Sequence, residues 1–481
     1  MSPPKLPCRL TLLLSVAVAF SSLGACTPST PETPESLQDV QNMVDDGHYT
    51  DARQHIQRLL QEDRLKQEHP SLKFEAERMR RIEMEFTLSR DQLLQSIQRY
   101  IPDATESDLT QWDKAGLLES KVIDGERRFF RKTAYNLVHI SDDAAARTDG
   151  YRRFSEKAPL YTLHQHHRDV SMADGPVRKR IRISYALTVD PDAVPAGETV
   201  RAWLPFPKPV LGRQENISLL ASSPEQYVLA AETQPQRTIY FEKQAEAGRP
   251  VEFAVSYEFD SLGRSTAIEP ERVQAPAPNE ALAPHLQERP PHVQFTPYLR
   301  KLSEQIVGDE SNPYRIAQKL FAYVDSIPWA GAREYSTIRN ISEYAAKAGH
   351  ADCGQQTLLL ITLMRMNGIP ARWQSGWEFS PSGFDTMHDW GEFYLEPYGW
   401  LPMDVTHGKL AGISDSETWF YLGGIDAYRL IFNTDYSQPF EPAKEHFRSE
   451  TVDSQRGEVE WSGGNLYFDQ WDYSLEWEIL D

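Results

Sequence analysis

Cys353, His388 and Asp404 occur in that order, at steps of 35 residues (353 to 388) and 16 residues (388 to 404). A thiol nucleophile needs a base to take its proton, and the base needs an acceptor that holds its ring in one tautomer. These three side chains supply those roles, and the chemistry they would support is acyl transfer through a thioester. The chain has 3 Cys. Cys8 lies within an apolar leader and Cys26 closes it, so Cys353 is the free thiol of the mature chain and no structural disulfide accounts for it. A lone Cys is often just a small buried hydrophobe. The His and Asp motifs beyond it argue for chemistry instead.

The surrounding sequence says how these residues are held. The chain is polar and irregular before Cys353 (Lys347, Gly349, His350, Asp352) and apolar on nearly all sides after it, from Leu358 to Met364. That pattern predicts a central buried helix of about a dozen residues, ended by Asn367-Gly368 and the following Pro370. Cys353 then sits at the helix N-terminus, where the positive end of the dipole favours thiolate. His388 and Asp404 fall on two strand-like runs joined by a turn at Glu396-Pro397-Tyr398-Gly399. They share a face only if opposed residue numbers in the hairpin sum to an even value.

Several motifs here arrive in a known order. Asp352-Cys353-Gly354, the helix closing on Gly368-Ile369-Pro370-Ala371-Arg372, His388-Asp389-Trp390 with Glu392, and Tyr398-Gly399-Trp400 leading to Asp404 together resemble the core of the transglutaminase-like superfamily, a relative of papain-like cysteine proteases. The match runs from about Asn312 to Tyr436. The resemblance implies Cys353 as nucleophile, His388 as general base and acid, and Asp404 as the group orienting the imidazole. It also implies an aromatic oxyanion donor upstream of the Cys, a place that Trp329 or Tyr335 would fill. Either ring could equally be core, and the backbone N–H of Cys353, an amide without a helical partner, is the better-placed donor. Many members carry Pro directly after the Asp, whereas Val405-Thr406-His407 follows here, which leaves His407 as a rival to His388. No metal or organic cofactor is required.

The start of the chain is an address. Lys5 and Arg9 precede an apolar run from Leu12 to Phe20, too short for a comfortable permanent span. Leu23-Gly24-Ala25-Cys26 resembles a bacterial lipoprotein box, which implies a signal peptide over residues 1–26 and lipid on Cys26. Residues 27–37, rich in Thr, Pro, Ser and Glu, read as a tether. The expected location is the bacterial envelope, periplasmic or surface-exposed, with the chain anchored by lipid rather than spanning the membrane. A net charge of −20 argues against nucleic acid or an anionic membrane face as partner; a protein or peptide substrate is compatible with it.

The expected class is α+β and multidomain, at roughly two to four domains for this length. Residues 38–150 read as helical. Two short helices and strands around Asp124-Gly125 within that stretch suggest a winged-helix-like shape. DNA binding through Arg127, Arg128, Arg131 and Lys132 is disfavoured in an acidic, exported chain, so docking is the better role. Residues 176–262 alternate as strands, as in Ile181, Ile183, Tyr185, Leu187 and Val189, and resemble the β-sandwich that often precedes the core in bacterial members. Residues 263–297 are a Pro-rich linker. Residues 298–481 carry the papain-like, transglutaminase-like core and an aromatic tail (Trp461, Trp471, Trp477) expected to close its sheet. His164, His166 and His167 could share a strand face and hold a metal, but no further ligand completes a site by spacing.

The sequence thus points to an envelope-anchored cysteine hydrolase or acyltransferase, with water the favoured acceptor. Two rivals remain at this stage: a lipid-anchored binding scaffold that keeps the fold without catalysis, and a metal hydrolase using His388, His407 and Asp404.

Overall fold

A computed structural model describes residues 36–148 and 175–480, apart from 278, 382 and 411–413. The signal segment with Cys8 and Cys26, most of the tether, and His164, His166 and His167 lie outside the described residues. No helix among the described residues is long and apolar enough to cross a membrane.

The N-terminal part runs α1 (Leu37–Asp45), α2 (Tyr49–Leu59), α3 (His69–Glu85), α4 (Arg90–Ile97), α5 (Glu106–Lys114), β1 (Ser120–Ile123), β2 (Glu126–Phe129), α6 (Thr133–Ile140) and α7 (Asp142–Ala146). Local chemistry starts these helices. Ser36, Ser89 and Thr105 each cap one, with Asp39, Gln92 and Asp108 completing capping boxes. Asp124 and Gly125 both take positive φ between β1 and β2, the geometry a two-residue hairpin needs and Asp-Gly tolerates. The cations near the hairpin are taken within the chain: Arg127 by Asp113 at 2.7 Å, Arg131 by Glu85 at 2.8 Å, Arg128 by Glu126. Lys132 and Asn136 donate to the carbonyls of Ala332 and Gly331, so this surface docks onto the C-terminal part.

The middle of the chain is β3 (Val177–Val189), β4 (Thr199–Pro205), β5 (Gln214–Ser223), β6 (Val228–Leu229), β7 (Thr238–Gln244) and β8 (Val251–Gly263). β3 pairs with β8 over its whole length, from Val177 opposite Gly263 to Val189 opposite Val251. The alternating apolar residues point into one core that two sheets share.

The C-terminal part runs α8 (Pro297–Val307), α9 (Pro313–Asp325), α10 (Ile341–Ala348), α11 (Cys353–Met366), β9 (Ala371–Ser380), β10 (Phe384–Leu395), β11 (Gly399–Met403), β12 (Arg429–Asn433), β13 (Glu458–Trp461), β14 (Gly464–Leu466) and β15 (Trp471–Ile479). Strands β11-β10-β9-β12 form one antiparallel sheet. Helix α11 is buried from Gly354 to Arg365, which is why its sequence is apolar all round. It packs with Trp373, Phe393, Leu401 and Met403 of that sheet in one core. The Pro-rich segment lies along this part rather than swinging free: Arg264 exchanges backbone hydrogen bonds with Ile425, and Gln274 donates to Glu396.

The tail does not close the sheet that carries His388. β13 pairs with β4 and β15 with β3, so the last strands complete the two sheets built by β3–β8. Burial explains the choice. Val459, Leu466 and Trp471 enter the core already lined by Ile183, Leu187, Phe241 and Phe253. Trp477 still touches the His388 sheet from its side, donating to Asp385 at 2.8 Å and packing on Phe379 with ring centroids 5.2 Å apart.

Candidate active site

Asp352 caps α11. Its carboxylate accepts the Gln355 N–H at 3.0 Å, and the Gln355 side chain accepts the Asp352 N–H at 3.3 Å. Cys353 is therefore the first helical residue. Its thiol is half-buried, 3.5 Å from Asp389 Oδ2. Tyr335 Oη donates to Asp352 Oδ1 at 2.7 Å and lies 3.4 Å from Asp389 Oδ2. Gln455 Nε2 donates to Asp389 Oδ1 at 2.9 Å.

Two acids, Asp389 and Asp352, thus crowd the thiol. Burial pushes the Cys353 pKa well above its ordinary value, and the carboxyls of Asp389 and Asp352 add to the rise. Burial also raises Asp389 strongly, with Asp453 and Asp352 adding to it, and lifts Asp352 to about 6. The expectation of a dipole-stabilised thiolate is overturned here. Desolvation and neighbouring acids outweigh the partial charge of one helix end.

Gly354 shows how tight this corner is. A Cβ built there would stand 2.1 Å from Tyr335 Oη and 2.5 Å from Asp389 Oδ2. Gly354→Ala is therefore expected to push Tyr335 off Asp352 and to cost about 1–3 kcal/mol, read as a lowered urea midpoint. A variant as stable as the wild type would show that the Tyr335–Asp352 contact is not needed.

The sheet places the other two residues. Gly391 opposes Met403, so even-numbered residues of β10 and of the strand leading to Asp404 share a face. His388 Nε2 lies 2.8 Å from Asp404 Oδ2. Burial would raise the Asp404 pKa, but His388, His407 and Arg429 hold it well below the usual carboxylate range. An ionised carboxylate only accepts, so a neutral His388 carries its hydrogen on Nε2 and offers the Nδ1 lone pair as base. Arg429 also reaches Asp404 Oδ2, at 2.5 Å, and bridges to Asp426 at 2.8 Å. His407 lies in the same group, its Nε2 2.8 Å from Glu378 Oε2 and 3.7 Å from Asp404 Oδ2.

Successive residues of a strand point to opposite faces. His388 and Asp389 do so here, and Cys353 is on the side of Asp389. Helix α11 meets the strands where β11 leaves β10: Thr357 Oγ1 donates to the Asp389 carbonyl at 3.2 Å, and Thr406 Oγ1 to Gln356 Oε1 at 2.9 Å. The structure brings His388 and Asp404 together and sets Cys353 against the neighbouring residue of the same strand. It makes no hydrogen bond between Cys353 and His388. Of the two aromatic candidates, Tyr335 stands at the Cys353 corner, while the Trp329 ring packs 5.8 Å from His139.

A cavity of about 760 Å³ opens between α1, α3 and the C-terminal part, lined among others by Phe74, Arg78, His292, Tyr335, Ser336 and Arg339. Tyr335 thus joins the cavity to the Cys353 corner.

Residues 300–405 match the sequence model of the transglutaminase-like superfamily. This stretch is a transglutaminase-like domain. It runs from within α8 to just past β11, with Cys353, His388 and Asp404 all inside the match. No curated protein sequence matches the chain. Two solved structures are similar at low identity. One, from Cytophaga hutchinsonii and provisionally titled a cysteine protease, is 14% identical, covers 64% of this chain and 93% of its own, and has a TM-score of 0.42. The other, the periplasmic domain of TgpA from Pseudomonas aeruginosa bound to ethylmercury, is 15% identical, covers 51% and 95%, and has a TM-score of 0.25.

Sequence reasoning missed Asp389 as the neighbour of Cys353, although it lies inside the quoted His388-Asp389-Trp390 motif. It also missed Glu378, Asp426 and Arg429, which carry no local signature and reach His388 and Asp404 only through strand pairing.

Proposed function

We propose that this chain is an envelope-anchored, cysteine-dependent acyl-transfer enzyme that hydrolyses amide bonds of protein or peptide substrates. The observation that carries the reading is the 2.8 Å bond from His388 Nε2 to Asp404 Oδ2, within a transglutaminase-like domain whose central buried helix starts at Cys353. The envelope location rests on residues 1–26 of the sequence.

In the working cycle the Cys353 sulfur passes its proton to His388 Nδ1 and attacks the amide carbonyl. The C–N bond breaks, the leaving amine takes the proton from His388, and a thioester remains on Cys353. Water then adds with His388 taking its proton, the C–S bond breaks, the sulfur takes that proton from His388, and the acid leaves. The Cys353 N–H faces the developing oxyanion, since Asp352 occupies the Gln355 N–H instead. The described state is the resting one, with the thiol protonated against Asp389. His388 lies on the opposite face of β10 from Cys353, so in this reading the strand turns at His388 and brings Nδ1 to the thiol before the proton passes.

His388→Gln is expected to lower kcat/KM for amide hydrolysis by about 10²–10⁴-fold, with the thermal midpoint little changed. Unaltered turnover would remove His388 from the mechanism.

The contact between Cys353 and Asp389 favours a second reading, a non-catalytic scaffold, if the thiol never ionises. Peptide mapping of iodoacetamide-treated chain reads this at Cys353 alone. Half-maximal labelling is expected above the free-thiol value of about 8.5. It should move to lower pH in Asp389→Asn, because one acid beside the thiol is gone. If Cys353 stays unlabelled in both proteins and no amide is turned over, the scaffold reading stands.

A further inference from the structure

The face of the sheet that carries His388 holds more than a base and its partner. His388 Nε2, His407 Nε2, Asp404 Oδ2 and Glu378 Oε2 all lie within 4.8 Å of one another. His388 is 2.8 Å from Asp404 and 3.6 Å from Glu378; His407 is 2.8 Å from Glu378 and 3.7 Å from Asp404. Both rings present Nε2 to both carboxylate oxygens, each oxygen bonded to one ring and within 3.7 Å of the other. A tetrahedral centre with bonds of about 2.0–2.1 Å has ligand-to-ligand edges of about 3.3–3.4 Å. The observed edges lie on either side of that value.

We propose that this quartet is a binding site for a divalent cation of the zinc class, held by two imidazole nitrogens and two carboxylate oxygens. Soft thiolate is absent from the set, and two imidazoles with two carboxylates suit zinc better than calcium or magnesium. All four side chains are buried, and their surroundings hold them in place. Asp404 Oδ1 accepts the N–H groups of Thr406 and His407. The His407 ring stacks on Tyr421 with centroids 4.7 Å apart, and His388 stacks on Trp390 at 5.8 Å. Outer contacts of this kind orient metal ligands.

Arg429 bonds Asp404 Oδ2 and Asp426 and stands 4.0 Å from Glu378 Oε2, so it tempers the charge of the acids around the quartet without entering the set of ligands. Among the described residues no other group of His, Cys, Asp and Glu converges in this way.

The cation would occupy His388 Nε2 and Asp404 Oδ2, the atoms that orient the catalytic base. That it silences the enzyme rests on the acyl-transfer reading; that it binds does not. The test is titration of the purified full chain with Co²⁺, followed by visible absorption. The expected result is one ion per chain with the intense bands of tetrahedral nitrogen and oxygen ligation, displaced by Zn²⁺. A thiolate charge-transfer band should be missing, and Cys353→Ser should titrate like the wild type. His407→Gln and Glu378→Gln should each weaken binding tenfold or more. A six-coordinate aqueous spectrum throughout the wild-type titration overturns the proposal, as does a thiolate band or undiminished binding in both variants. The wild-type spectrum decides even if a variant does not fold. Turnover by chelator-treated chain tests the acyl-transfer reading separately, so a chain that binds metal without hydrolysing amides sinks only that reading.

Discussion

Cys353→Ala is expected to remove amide hydrolysis down to background, a loss on the order of a million-fold where a covalent nucleophile is deleted from a triad. The reason is chemical rather than structural. No other thiol lies among the described residues, so no other group there can form the thioester. The fold should survive. Ala suits the first position of a helix, the Asp352 capping box does not involve the thiol, and the side chain is only half-buried at a polar corner. Assay of amide hydrolysis beside a urea melt separates the two effects. Turnover within tenfold of wild type would end the case for Cys353 as nucleophile. Loss of turnover together with collapse of the melt would instead assign the residue to the core.

Arg429→Met is expected to destabilise the chain by about 3–5 kcal/mol, because it leaves buried acids without their cation. Arg429 is 1% exposed. It holds Asp404 at 2.5 Å and Asp426 at 2.8 Å, and a thioether of similar length replaces neither bond. The deficit should depend on pH in a stated direction. Burial would raise Asp426, but Arg429 outweighs it and keeps that carboxyl far below its ordinary value; Asp404 is depressed as well. A depressed carboxyl contributes stability above its unfolded value of about 3.9, and loses it as pH falls toward the folded value. The gap between wild type and variant should therefore be full at neutral pH and narrow in acid. Equilibrium urea unfolding at both pH values measures it. A variant within about 0.5 kcal/mol of wild type at pH 7 would mean that water or a bound cation already shields these acids.

Local signals carried far in this chain. The change from polar, irregular chain before Cys353 to apolar chain after it announced a helix start, and in the structure Asp352 caps it by accepting the Gln355 N–H. Asn312-Pro313 opened α9 by the same kind of cap. The even and odd alternation of Ile181 to Val189 announced a half-buried strand, and β3 is one. Asp124-Gly125 needed only its own backbone freedom to make a hairpin turn.

The aromatic tail shows where such signals stop. Its alternation marks β15 as a strand, but nothing local says whether its partner is β3 or β10. That depended on which sheet had an open edge and which core had room for Val459, Leu466 and Trp471. The state of the thiol is similar. A helix N-terminus read alone predicts thiolate. The answer reversed because the folded chain buries the thiol and sets it against Asp389, with Asp352 beside it, and such effects depend on distance in space.

By itself the sequence determined the residue types of the candidate site, their order, and the helix and hairpin that carry them, since spacing, capping and turns act over a few residues. Only the tertiary structure decided three things: that His388 and Asp404 share a face, that Cys353 rests against Asp389 on the other face, and that Glu378, His407, Asp426 and Arg429 gather around the base. Hairpin register sets the first two, because a shift of one residue exchanges the faces of a strand. Strand order sets the third, bringing β9, β10 and β12 side by side and making neighbours of charges far apart in the chain.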